Sequence, residues 1–160
     1  MPEGNPCDHL DALHPKIARV LGYWRAIHPE NGLPGRAHFD PMAIPDALPG
    51  VCLFDVERDP LRLRYRIAGT RIVEVMGREP TGLLFEEVHP QAVKHPGYLD
   101  RHLRVIATAE PSWRRGKPRQ WTRRECVEVE NMILPLAADG RTVDMLLTLT
   151  VMYWSNGRSE

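Results

Sequence analysis

The segment running from Leu134 to Tyr153 constrains the fold of this chain more than any other, because two apolar strand-like runs flank Asp139-Gly140. An Asp-Gly pair supplies the positive backbone φ that a tight hairpin needs. After the turn, Val143, Met145, Leu147, Leu149, Val151 and Tyr153 alternate with Asp144, Thr148 and Thr150, so one face of this strand is built for burial. Before the turn, Val127 and Val129 alternate with Glu128 and Glu130, whereas Met132, Leu134 and Leu136 hold the opposite phase. The slip near Asn131 predicts a bulge or bend. No catalytic motif stands between Leu134 and Leu147, which marks this part of the chain as scaffold.

The remaining elements follow from spacing and breakers. Ile17, Val20, Leu21, Trp24 and Ile27 recur at helical intervals, predicting an amphipathic helix from about Pro15 to His28. Asn31-Gly32-Leu33-Pro34-Gly35, Asp40-Pro41, Ile44-Pro45 and Leu48-Pro49-Gly50 then form a proline-punctuated strap. Val51–Val56 and Leu61–Ile67 predict a second hairpin whose later strand sets Leu61, Leu63, Tyr65 and Ile67 against Arg62, Arg64 and Arg66. Thr70 can cap a short helix that Gly77 stops, and Thr81 can cap another holding Leu83, Leu84, Phe85 and Val88. From Tyr98 to Ala109 an apolar stripe of Leu99, His102, Leu103, Ile106 and Ala107 predicts a longer helix ended by Pro111. The reading is therefore α+β, in four parts: a flexible N-terminal segment (1–14), a helix and strap (15–50), a sheet domain (51–154) and a polar tail (155–160).

Formal charge is zero, so no global field draws the chain to nucleic acid or an anionic membrane. Cys7, Cys52 and Cys126 are three and widely spaced, which argues against a disulfide framework and makes a reducing cytoplasm the default. No secretory leader or membrane-length apolar run is present in the sequence. Cys7, His9 and His14, like Glu86 and His89, match no closed metal spacing, and no metal is expected. Ser112, Ser155 and Ser159 lack a nucleophile-elbow context and no phosphate-cradling glycine loop occurs, so an enzyme is not expected.

The element order resembles that of the PAS domain, and several separated motifs carry the resemblance: Trp24 in the leading helix, Leu33-Pro34-Gly35-Arg36, Asp40-Pro41 with Ile44-Pro45, Tyr65-Arg66-Ile67-Ala68-Gly69-Thr70, Gly77-Arg78-Glu79-Pro80-Thr81-Gly82, and Leu134 to Leu147. More closely, the chain is similar to a bacterial family of small single-domain PAS-like proteins. The resemblance implies a five-stranded antiparallel sheet with helices on one face, plus the N-terminal amphipathic helix. It further implies sensing of a small molecule or engagement of a signalling partner protein, often as a homodimer. It selects no cofactor, since PAS domains bind haem, flavin, chromophores, small carboxylates or nothing detectable.

On that basis Tyr98, His102, Ile106, Trp113, Leu147 and Leu149 are the expected pocket residues, with His102 the most prominent because it falls on the apolar stripe of a cavity-walling helix. Ile17, Val20, Leu21 and Trp24 are the expected dimerisation residues. Trp113 to Arg124 interleaves indoles with guanidiniums and offers the competing reading, a nucleic-acid-associated surface, which the absence of net basic charge disfavours. Neither a membrane nor a catalytic residue enters either reading.

Overall fold

The computed structural model describes residues 2–119 and 125–160, with Ala92 and Val93 described by backbone alone. Its elements are β1 (Glu3–Gly4), α1 (Pro15–Ala26), β2 (Val51–Glu57), β3 (Arg62–Ala68), α2 (Thr70–Met76), α3 (Phe85–Val88), α4 (Gln91–Lys94), α5 (Asp100–Thr108), β4 (Ser112–Gly116), β5 (Cys126–Leu136) and β6 (Met145–Trp154). The strands make one antiparallel six-stranded sheet in the order β1-β4-β5-β6-β2-β3. The class is the expected mixed α+β. The strand beyond the expected five is the two-residue β1, which sets Glu3 opposite Arg114 and Gly4 opposite Trp113.

Alternation on the central strands divides the core in two. Leu147, Leu149 and Val151 of β6, with Met132, Leu134 and Leu136 of β5, meet Ile17, Val20, Leu21 and Trp24 of α1 and Phe39 and Ile44 of the strap. Leu146 and Met152, with Val129 and Ile133, face α2, α3 and α5 through Ile72, Val75, Phe85 and Val105. Both faces of β6 are therefore covered, and the polar positions Thr148 and Thr150 are buried along with their apolar neighbours.

Three local differences from the sequence reading have physical causes. The slip near Asn131 is not a bulge: the β5–β6 register runs unbroken from Glu128 to Leu136, and the irregularity lies between Cys126 and Glu128. Glu130 sits in phase with Met132 and Leu134, so what looks like a change of phase is a carboxylate occupying a core position. On β3, the register shift where Leu53 and Phe54 meet Ile67 and Tyr65 leaves Arg66 as an extra residue and turns Ile67 outward, 45% exposed. The Asp139-Gly140 turn is longer than a two-residue hairpin, since β5 closes at Leu136 and β6 opens at Met145. Asp139 Oδ1 accepts from the backbone N–H of Arg141 and Thr142, and Gly140 O accepts from Leu33 N at 2.9 Å, joining this loop to the strap.

Candidate functional site

α5 lies across β5 with a buried edge of Arg101, His102 and Val105, while Leu103 is 39% exposed. The stripe is thus turned by about one residue from the one the apolar positions predict. It keeps His102 on the buried edge as expected and brings the Arg101 guanidinium there in place of Leu103. Ala109, at φ 59, closes the helix in the left-handed region ahead of Pro111.

Between α5, α2, α3 and the sheet lies a cavity of about 70 Å³, lined among others by Cys52, Phe54, Tyr65, Phe85, Tyr98, Arg101, His102, Asn131, Thr148 and Thr150. Arg114 and Arg119 also border it. Aromatic rings form one wall: Phe85 stands 5.5 Å from His102, 4.6 Å from His89 and 6.0 Å from Tyr98, centroid to centroid. The Tyr65 hydroxyl and His89 Nε2 share a buried hydrogen bond of 2.8 Å.

The electrostatics of this wall are set by exclusion of water. Burial lowers the His102 pKa to about 3, with the Arg101 guanidinium and His89 adding to the effect, so the imidazole is neutral at physiological pH. Burial lowers His89 to about 4, assisted by Arg78. It pushes the Cys52 thiol up to about 12 and raises the Tyr65 phenol, which keeps both protonated. His102 Nδ1 is buried without a hydrogen-bond partner. Arg101, only 9% exposed, donates from Nε to Ser112 Oγ at 3.1 Å, from Nη1 to Asn131 Oδ1 at 3.0 Å and from Nη2 to Asn131 O at 3.1 Å. All three acceptors are uncharged.

A second polar cluster sits on the α1 face. Glu130, fully buried, accepts from Trp113 Nε1 at 2.9 Å, from the backbone N–H of His14 at 2.9 Å and from Tyr153 Oη at 2.8 Å. His14 caps α1 through Nδ1, which accepts from Lys16 N. One carboxylate therefore holds the start of α1 to β4 and β6.

Of the expected pocket residues, Tyr98 and His102 border the cavity. Ile106 is half-buried and packs against the same core without lining it. Trp113, Leu147 and Leu149 belong to the opposite face, packed with α1 and the strap, because the inward parity of β6 toward the cavity is that of Thr148 and Thr150. Ile17, Val20, Leu21 and Trp24 are all spent on the chain's own core, at 0%, 1%, 1% and 7% exposure, and Trp24 Nε1 donates to Pro135 O at 3.0 Å. They offer no free face for a second copy.

Of the Trp113 to Arg124 segment, Gln120, Trp121, Thr122, Arg123 and Arg124 lie outside the described residues. In the part that is described, the Trp113 indole is buried, and Arg115 is held by Glu128 at 3.0 Å and stacks over Tyr153. The sequence reading does not include Arg101, and it treats Asn131, Tyr65, Phe85 and His89 without assigning them to the pocket. Arg101 and His102 share the i+3 and i+4 positions from Tyr98, and that spacing was the available signal. Among the described residues no group of three or more His, Cys, Asp or Glu is placed to hold a metal ion, and no helix is long and apolar enough to cross a membrane.

Comparison with known proteins gives a family match and a fold likeness. A family model described as PAS domain matches residues 12–151. Among solved structures, one described as an RNA-binding light-oxygen-voltage receptor is similar at 16% identity and a TM-score of 0.45, over 80% of this chain and 38% of that one. The chain thus spans well under half of that protein's length. No curated protein matches the chain.

Proposed function

This chain belongs to the PAS domain family, and from that premise we propose that it is a sensory domain which binds a small molecule between α5 and the sheet and passes the signal to a partner protein. The observation that carries the reading is the cavity, in which an aromatic wall is joined by convergent polar groups and, among the described residues, the buried His102 Nδ1 lacks a partner. A buried unsatisfied nitrogen costs about 1–3 kcal/mol, and a ligand atom bonded to it recovers part of that cost. The output is a population shift: a ligand that contacts α5 differently in two arrangements biases the one it binds more tightly. We further propose that no chemical step is involved, since the Cys52 thiol stays protonated and the Ser112 hydroxyl accepts from Arg101.

The nucleic-acid reading of Trp113 to Arg124 is the weaker one. An indole buried on Glu130 is not free to stack on a base, and Arg115 already has a carboxylate. A homodimer, if formed, uses a surface other than the inner face of α1.

The test is native mass spectrometry of the purified chain together with thermal shifts against a metabolite panel, repeated on Thr150→Met, which fills the cavity from β6. A retained or stabilising small molecule that Thr150→Met excludes, with the far-UV circular dichroism unchanged, is the expected result. Binding of no small molecule by the parent, or binding that Thr150→Met leaves intact, overturns the reading.

A further inference from the structure

Arg101 is a buried cation whose hydrogen bonds all go to neutral groups. A guanidinium carries five N–H donors, and among the described residues the three bonds to Ser112 and Asn131 leave two without a partner, one on each Nη. Among the described residues no carboxylate stands within 4 Å of it. Most charges around it have the same sign: among the described residues Arg104, Arg114 and Arg119 act on Arg101 and Glu3 opposes them, itself 3.3 Å from Arg104. A buried cation with only neutral partners is unfavourable, and the usual remedy is an anion.

Both the chemistry and the size of the missing partner can be read from the wall. A guanidinium N–H bonds an anionic oxygen of a carboxylate or phosphate more strongly than it bonds a neutral acceptor. A cavity of about 70 Å³ is small beside the roughly 300–1,000 Å³ of an ordinary ligand site, which favours a compact ligand over a flavin or haem. His102 Nδ1 stands on the same wall as a neutral group able to meet a further polar atom of the ligand.

We propose that the cavity is a small-oxyanion site in which Arg101 pairs with the anionic group, Arg114 and Arg119 draw it in at the rim, and His102 bonds its remaining polar atom. The assignment rests on the ligand-binding reading above and names the class of ligand. It requires a compact acid of a few heavy atoms, either a monocarboxylate or inorganic phosphate.

The probes are acetate, pyruvate and inorganic phosphate, each beside a neutral counterpart where one exists (acetamide for acetate, hydroxyacetone for pyruvate), titrated calorimetrically at low salt. Binding of at least one anion, with its neutral counterpart at least tenfold weaker, is expected. The carboxylate and phosphate arms separate the two sources. Arg101→Met removes the charge and should lose binding by tenfold or more, whereas Arg66→Met on the distant sheet edge should not. Because Arg101 also braces α5 to β5, His102→Ala gives an independent second variant, expected to weaken the same anion several-fold while the fold is retained. Equal binding of acid and neutral counterpart, or a neutral metabolite recovered from the cavity, overturns the oxyanion assignment and leaves the sensory reading standing. Binding of no compound from either class, together with none in the wider metabolite panel, overturns both.

Discussion

At the scale of single residues, the two buried histidines make stability depend on pH in a direction that can be worked out. His89 and His102 are neutral in the fold, with pKa values near 4 and 3, but take up a proton at about 6.5 when unfolded. Below pH 6.5 the unfolded chain therefore binds more protons, so their contribution is fully present above that pH and is lost as pH falls toward 4. At pH 5 each should cost on the order of 2 kcal/mol, measurable as a lower urea midpoint than at pH 8. His102→Asn should flatten that dependence; an unchanged slope would refute the assignment. Glu130 offers a sharper case. Glu130→Ala removes the acceptor of one buried and two part-buried donors and should destabilise by about 3 kcal/mol, read from the same denaturation curves.

At the scale of elements, α1 is a structural helix rather than an assembly surface. Val20→Asp forces a carboxylate into a site only 1% exposed, and the expected outcome is loss of most of the folding free energy, seen as a collapsed thermal transition at every protein concentration. A dimerisation residue would instead shift molecular mass and leave the fold in place. On β3 the extra residue Arg66 separates two leucine-like positions in effect: Leu63→Ala should cost about 2–5 kcal/mol, and Ile67→Ala well under 1. At the β3–α2 junction, a Cβ on Gly69 would run into the carbonyl oxygens of Leu48 and Pro49, so Gly69→Ala should be costlier than its ordinary backbone angles suggest. These elements also mark where pattern reading stops. The alternation of β6 was legible, but Thr148 and Thr150 carry the composition of a solvent-facing side, because a polar cavity wall and a hydrated surface ask for the same residue types. The phase of α5 was hidden for the same reason: its buried edge holds Arg101, and apolar periodicity cannot count a buried arginine. Element existence and order, by contrast, follow from breakers and spacing, as Gly77 at φ 71 and the close of α5 before Pro111 illustrate.

At the scale of the whole molecule, the sheet is shared between a cavity on one side and α1 with its strap on the other, and the two polar clusters meet on β5. Asn131 is gripped from the cavity side by Arg101, and Glu130, its immediate neighbour, is gripped from the far side by the N–H of His14. Successive residues of a strand project to opposite faces, about 3.4 Å apart along the chain. A single peptide link is thus the hinge pin between two levers. A ligand that shifted Arg101 would act on the residue next to the one that anchors α1, so amide exchange over Lys16–Ala26 should change on ligand addition; identical exchange with and without ligand would refute the link.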